Sequence, residues 1–150
     1  MVIDAIHNGI VIDHIAAGKA MELYEIMGLG KLDCTVAILK NVPSKKLGRK
    51  DIIKIDQLLE LDWDLLGYVD PNITVNIIRD DIRVEKRQLK LPERIRGVIR
   101  CRNPRCITSV ERELPHEFKL TDREKRIYRC VYCETRYTSG IDTLPEEATR

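Results

Sequence analysis

Four of the five cysteines fall in two short pairs, and this spacing constrains the fold more than any other feature of the chain. Cys101 and Cys106 are separated by four residues, Cys130 and Cys133 by two, and residues 107–129 lie between the pairs. Each pair can give two thiolates to one tetrahedral ion, while the segment between them forms a small hairpin or ribbon. The spacing therefore predicts one zinc ion bound by all four cysteines.

The predicted zinc site is structural, because four cysteine ligands leave no coordination position for water or substrate. Residues 93–150 are too few to depend on a hydrophobic core alone, and zinc contributes about 10–16 kcal/mol to the folding of small zinc domains. Two alternatives stay open, namely four unrelated buried thiols or disulfides. His116 could also replace one ligand, and Cys34, within an apolar stretch, is expected to be an ordinary core residue.

The first part of the chain alternates between strand and helix patterns. Their order is strand-helix-strand-strand-helix-strand with an extra hairpin arm. This order predicts an α+β, ferredoxin-like domain, a split βαβ antiparallel sheet with two helices. We expect strands at 9–15, 31–42, 51–55, 72–80 and 82–89, an Asp80-Asp81 turn, and helices at 17–28 and 56–67, the second capped by Asp56 and ended by Gly67.

A change of composition at "LKLPERIRG" (89–97) predicts a linker between two domains. We place the domains at 1–92 and 93–150, the second being a small zinc-bound β domain of the rubredoxin-like kind. Its 107–129 segment is charged enough to stay in solution, yet it carries Leu114, Phe118 and Leu120 as candidates for contact with a partner.

Basic side chains cluster around the first cysteine pair, against a single acidic residue, Glu93. The pattern raises the alternative of a zinc-ribbon protein that binds nucleic acid. Aromatic content is only 5% and the net charge only +2, whereas single-strand binders use exposed aromatics for stacking. We therefore expect no nucleic-acid partner. The basic residues are Lys86, Arg87, Lys90, Arg94, Arg96, Arg100, Arg102 and Arg105.

The remaining patterns argue against other classes of protein. The start "MVIDAIHNG" has no basic region or long apolar stretch typical of a secretory signal, and apolar runs such as "CTVAIL" are too short to cross a bilayer. Cysteines spaced like metal ligands, in a sequence without an export signal, indicate a protein of the cytoplasm that makes no contact with a membrane. No catalytic triad, open metal site or close carboxylate pair is visible, and no P-loop or GxGxxG motif occurs, so an enzyme is not expected.

Several motifs occur together in the order typical of one family. "GIVIDHI", "VPSKKLGRKDIIKI", "TVNII", "LPERI" and the two cysteine pairs cover about residues 2–137. The chain resembles aspartate carbamoyltransferase regulatory chains. The resemblance implies a non-catalytic subunit of pyrimidine biosynthesis whose first domain binds nucleoside triphosphates (CTP, ATP, with UTP left open). Its zinc domain would contact catalytic chains, and regulatory-chain homodimers would bridge two catalytic trimers.

The resemblance also implies a nucleotide site in the first domain. Each residue alone would be ordinary, and only their joint occurrence predicts a site. Asp81 and Arg83 stand where the family often has an aromatic and an apolar residue beside the base, which leaves base preference open. The implied contacts are Ile3, Ala5 and Ile6 on the first strand for the base, Asp13 and Lys54 for the ribose, and His14, Asn76 and Lys86, with Lys50 nearby, for the triphosphate.

Overall fold

A computed structural model of the chain describes residues 5–137. The chain divides into two compact units between Lys90 and Leu91, called here the N-terminal and C-terminal units. None of the helices in the described part has the length and apolar character needed to cross a bilayer. The prediction of a helix-containing antiparallel domain followed by a small β domain is confirmed.

The N-terminal unit is built on an antiparallel sheet of five strands in the order β2-β3-β1-β4-β5. Strands β1 and β2 run in the same direction with the antiparallel β3 between them, which is a split βαβ arrangement. The elements are β1 (Gly9–Ala16), α1 (Ala20–Ile26), a short 3₁₀ turn (Leu29–Lys31), β2 (Val36–Ser44), β3 (Gly48–Ile55), α2 (Trp63–Val69), β4 (Thr74–Arg79) and β5 (Ile82–Gln88).

One face of this sheet is covered by the two helices. Alternate residues of β1, such as Ile10 and Ile12, are fully buried, while Val11 between them is only half-buried. The same core contains Leu23 of α1 and Leu66 of α2. Because successive side chains of a strand point to opposite faces, the residues between the core positions lie on the outer face of the sheet.

The predicted position of the second helix is wrong. Residues 56–62 form no regular element, and α2 begins at Trp63. The N-cap is Asp62, whose side chain accepts a hydrogen bond from the Leu65 N–H at 3.1 Å. Asp56 and Asp62 are both plausible caps in the sequence, but only Asp62 lies where the chain turns into the helix. The first helix is also shorter than predicted and is followed by Gly28, whose φ is 66°.

Gly67 lies inside α2 and does not end it. A Cβ atom at this position would come within 2.2 Å of the Lys90 carbonyl oxygen. The glycine is therefore required by a close approach of backbone to helix, not by a turn.

We expect Gly67→Ala to lower the free energy of unfolding of the N-terminal unit by about 1–3 kcal/mol, because the backbone must shift to admit the methyl group. Urea unfolding followed by the fluorescence of Trp63, the single tryptophan, measures the change. Helix propensity alone would stabilise the alanine variant by about 1 kcal/mol. An unchanged or increased stability would therefore contradict the close approach.

The five predicted strands are present, but the bounds of β2 and β3 differ from the prediction, and β3 begins three residues earlier, at Gly48. Residues 31–35 are not part of β2, which begins at Val36 and continues through Pro43 to Ser44. Proline is tolerated there because β2 is an edge strand. The predicted Asp80-Asp81 turn is confirmed, with φ values of 50° and 67° that match a two-residue hairpin turn.

The C-terminal unit contains a four-stranded antiparallel sheet in the order β6-β7-β8-β9. Its small core includes Phe118, which packs edge-on against Tyr137 with ring centroids 6.0 Å apart, and Tyr128, which donates to the Pro92 carbonyl oxygen at 2.7 Å. Phe118 is therefore buried and unavailable to a partner. The elements are β6 (Arg94–Arg96), α3 (Ile107–Val110), β7 (Glu117–Asp122), β8 (Ile127–Cys130) and β9 (Arg136–Tyr137).

Candidate functional site

The four predicted cysteine ligands come together in the C-terminal unit. Cys101 follows β6, Cys106 immediately precedes α3, Cys130 ends β8, and Cys133 lies in the turn before β9. Their sulfur atoms all lie within 4.8 Å of one another. The hairpin of β7 and β8 between the pairs agrees with the predicted ribbon, whereas α3 was not predicted.

The sulfur positions fit a tetrahedral metal ion. The Sγ atoms of Cys101 and Cys133 are 3.5 Å apart, and those of Cys106 and Cys130 are 3.7 Å apart. A tetrahedral ion with metal–sulfur bonds of about 2.3 Å separates its ligands by roughly 3.8 Å. All four cysteines are free, so neither of these two close pairs is a disulfide.

The electrostatics of the four thiols are unequal. Burial raises the pKa of Cys101 and of Cys130. For Cys133 burial also acts to raise the pKa, but hydrogen bonds with the Thr135 hydroxyl, the Thr135 N–H and the Asn103 side chain prevail and lower it to about 6. Coordination to a divalent cation deprotonates thiols outright, so metal binding at this cluster releases protons and is favoured as pH rises.

His116 is not one of the grouped ligands among the described residues. Its Nδ1 accepts a hydrogen bond from the Cys101 backbone N–H at 3.1 Å, so it orients the first ligand from outside the cluster. Burial and the nearby Arg100 lower the pKa of His116, which favours the neutral ring that can accept this bond. Cys34 lies apart from the cluster, half-buried against the core of the N-terminal unit and just before β2.

Sequence reasoning missed two hydroxyl groups beside the cluster. Thr108 donates its hydroxyl to the Cys106 sulfur at 3.1 Å, and the Thr135 oxygen lies 3.1 Å from the Cys133 sulfur. In both cases threonine stands two residues after the second cysteine of a pair. The repeated Cys-x-Thr pattern is the signal that could have revealed them.

The second candidate site is the outer face of the five-stranded sheet. Val11 of β1 pairs with Lys54 on one side and Asn76 on the other, and Asn76 pairs in turn with Lys86. Directly paired residues in antiparallel strands share a face. The register therefore aligns Lys54, Asn76 and Lys86 in one row across four strands.

Asp13 lies two residues beyond Val11 on the same face. Its carboxylate pairs with the Lys50 ammonium at 2.8 Å, with both side chains mostly buried. Burial acts to raise the pKa of Asp13, but the Lys50 hydrogen bond and the His14 N–H prevail and hold it below its usual value. Asp13 is therefore an ionised acceptor at the edge of a group of three lysines.

His14 lies where β1 leaves regular pairing with β3. Its φ is 58°, in the left-handed region that few residues other than glycine adopt. The His14 N–H donates to Asp13 at 2.6 Å, and Nδ1 lies 3.2 Å from the Thr74 hydroxyl oxygen. The bulge thus places the histidine ring beside the residue that pairs with Asp13 in β4.

Asn76 carries an unused acceptor. Its side-chain oxygen is buried and accepts no hydrogen bond from the described residues. Leaving a buried polar atom unpaired is unfavourable by about 1–3 kcal/mol. A ligand with a donor group at this row would remove that penalty.

The residues implied for the base are only partly described. Ile3 lies outside the described residues. Ala5 and Ile6 precede β1, which begins at Gly9, and so do not lie on the first strand as expected. The sheet register starts only where Gly9 pairs with Ile78.

The two departures from the family pattern have different surroundings. Asp81 contacts the His7 ring, and its N–H donates to the His7 carbonyl oxygen at 3.0 Å. A register shift between β4 and β5 then pairs Arg83 with Ile78. Since Ile78 follows Asn76 by two residues, Arg83 lies on the outer face and adds a further cation to it.

Several arginines of the basic cluster are engaged within their own units. Arg94 and Arg96 both bind the Glu117 carboxylate, at 3.0 and 3.1 Å. Arg87 lies 4.0 Å from the centre of the Trp63 ring, an arrangement typical of cation–π pairs. These three arginine side chains are thus engaged by other residues of the chain, whereas a nucleic-acid-binding surface would present them to phosphates.

Comparison with known proteins gives two family matches. Residues 1–90 match the family described as aspartate carbamoyltransferase regulatory chain, allosteric domain. Residues 93–141 match its metal binding domain. Together the two matches span nearly the whole chain.

Curated relatives agree with these matches, and each is named aspartate carbamoyltransferase regulatory chain. A Clostridium botulinum protein is 48% identical over 140 residues, covering 93% of this chain and 96% of its own length. One from Clostridium acetobutylicum is 50% identical over 137 residues, covering 91% and 94%. One from Bifidobacterium longum is 42% identical over 134 residues, covering 89% and 96%.

Proposed function

This chain belongs to the family of aspartate carbamoyltransferase regulatory chains and is non-catalytic; from this premise we propose that it senses nucleoside triphosphates and transmits their binding to separate catalytic chains. The N-terminal unit, a ferredoxin-like domain, is the sensor. The C-terminal unit, a rubredoxin-like zinc domain, contacts the catalytic chains. The observation that carries the proposal is the row of Lys54, Asn76 and Lys86 on the outer face of the sheet.

The effector is CTP, ATP or UTP, bound through its charged and polar groups. Lys86 and the nearby Lys50 supply the positive charge that the triphosphate requires, together with Asn76 and with His14 at the bulge. Asp13 accepts from the ribose hydroxyls, and Lys54 on the same face of the sheet also binds the ribose. The base meets Ile3, Ala5 and Ile6, largely through backbone groups.

One structural zinc ion is the proposed metal. Thiolate ligands favour zinc or an iron–sulfur centre, and the four sulfurs match the spacing of a single tetrahedral zinc. Cys101, Cys106, Cys130 and Cys133 would hold it, and the zinc would link both ends of the 107–129 segment. This closure supports a small domain with few core residues.

The proposed partners are catalytic chains of aspartate carbamoyltransferase and a second regulatory chain, together in the cytoplasm. Near the cysteine cluster, Ile107, Val110 and Tyr132 are 44%, 70% and 42% exposed. Exposed apolar side chains are candidates for contact with another protein. These side chains take the place of Phe118 as candidate contacts with a catalytic chain.

We expect calorimetric titration with CTP or ATP to show saturable binding that Lys54→Ala and Lys86→Ala each weaken by roughly 10–100-fold, because a lost charge-assisted hydrogen bond costs about 1.5–3 kcal/mol. Lys45→Ala is the matched control, since Lys45 is exposed in the turn between β2 and β3. Affinity that stays unchanged in both test variants would rule out the sheet face as the effector site.

Mixing the chain with isolated catalytic trimers is expected to give a larger assembly in mass photometry. A coupling of about 1–3 kcal/mol between nucleotide and the catalytic conformation is typical of allosteric control. Persistent separation of the two proteins at micromolar concentration would refute the subunit proposal, even if nucleotides bind.

A further inference from the structure

The hydroxyl groups of Thr108 and Thr135 stand in equivalent places around the cysteine cluster. Each follows the second cysteine of a pair by two residues, and each oxygen lies 3.1 Å from that cysteine's sulfur. Thr108 is 4% exposed, and Thr135 is half-buried. The two contacts therefore place one hydroxyl against one sulfur of each cysteine pair.

We propose that Thr108 and Thr135 are positioning residues of the metal centre, whose hydroxyls donate to the Cys106 and Cys133 thiolates and set their electron density. The inference rests on the proposed metal site. A divalent ion with four thiolates has a formal charge of about −2, and a buried negative charge requires hydrogen-bond donors. Two hydroxyl donors, one on each side, spread this charge outward.

The other two sulfurs receive a different kind of donor. The Asn103 N–H bonds to Cys101, and the N–H groups of Tyr132 and Cys133 bond to Cys130. Backbone donors are present for every residue except proline, so side-chain substitutions leave them in place. Side-chain donors are the part of the hydrogen-bond shell that the sequence can adjust, and these are the two threonine hydroxyls and the Asn103 side chain beside Cys133.

Packing alone does not account for Thr108. A valine has the same shape and would fill a buried site without a hydroxyl to satisfy. A threonine at 4% exposure is favoured only where its hydroxyl has a partner. The partner here is the Cys106 sulfur. Mutation of a residue that hydrogen-bonds to a metal ligand typically lowers metal affinity by about 10–100-fold.

The test compares Thr108→Val and Thr135→Val with Thr108→Ser, which restores the hydroxyl, and Thr121→Val as control. Thr121 is an exposed threonine of β7 whose hydroxyl donates to the Ile127 carbonyl oxygen. Each full-length variant is loaded with Co²⁺ or Zn²⁺. The readouts are the energy of the sulfur-to-cobalt charge-transfer band and the zinc affinity in competition with a chelator.

We expect both valine variants to move the charge-transfer band to lower energy and to lose about tenfold in zinc affinity, while Thr108→Ser and Thr121→Val stay near wild type. A band unmoved in both valine variants that bind one metal per chain would overturn the positioning role. A loss of affinity that serine does not restore would also overturn it, because packing would then be the cause. Failure of the wild-type chain to bind metal would instead refute the metal site itself.

Discussion

Cys130→Ser is expected to abolish metal binding and to unfold the C-terminal unit while the N-terminal unit stays folded. Cys130 ends β8, and its Sγ atom lies 3.7 Å from that of Cys106. Its loss removes one of the four metal ligands and the link between the metal and the end of the β7–β8 hairpin. Structural zinc contributes about 10–16 kcal/mol in small zinc domains, which is as large as the whole stability of a typical domain, about 5–15 kcal/mol.

Three measurements on the full chain check this expectation. Elemental analysis gives the zinc content, limited proteolysis reports unfolding beyond Lys90, and Trp63 fluorescence reports the N-terminal unit. Cys34→Ser is the matched control, because Cys34 lies outside the cluster. Simultaneous unfolding of both units, or one zinc retained per chain, would contradict the assignment.

Asp51→Asn is expected to destabilise the N-terminal unit by about 2–4 kcal/mol. The Asp51 side chain is fully buried and accepts three backbone hydrogen bonds, from Gly18 at 3.0 Å, Ala20 at 3.1 Å and Asn41 at 2.8 Å. Asparagine has nearly the same shape, but it carries an NH₂ donor in place of one of the two acceptor oxygens of aspartate. At least one backbone N–H is then left facing another donor.

Urea unfolding followed by Trp63 fluorescence measures the loss. Asp33→Asn is the matched control because Asp33 is exposed in the same unit, and its stability should change by less than about 0.5 kcal/mol. Equal stability of the Asp51 and Asp33 variants would mean that the three backbone donors find other acceptors. The Asp51 carboxylate would then not be required to hold these three backbone segments together.

Much of the fold could be predicted because its information is local. The strands alternate apolar and polar residues, as "GIVIDHI" does, and the two cysteine pairs each bring their ligands together within a few residues. The position of the second helix could not be predicted in this way, because its start does not follow from the local pattern. The leucines of 56–62 have helix-like spacing, but they pack as an irregular segment, and the helix begins only at the later cap, Asp62.

The outer face of the sheet could be predicted only in part. Resemblance identified the lysines, but the relation of Arg83 to them depends on a register shift between β4 and β5. A shift of one residue exchanges the two faces of a strand, and nothing in "RDDIRV" reports it. Cysteine spacing predicts the metal ligands but not the hydroxyl groups that donate to their sulfurs, so the role of Thr108 was not predicted.

The alternation along β1 has a consequence for how an allosteric domain of this kind can diverge. Ile10 and Ile12 serve the core, whereas Val11 and Asp13 serve the opposite surface, so the two tasks are divided between neighbouring positions of one strand. Substitutions in one set leave the other largely undisturbed. Substitutions on the proposed effector face can therefore change ligand preference over evolutionary time, or under directed selection, while the core positions that fold the domain stay the same.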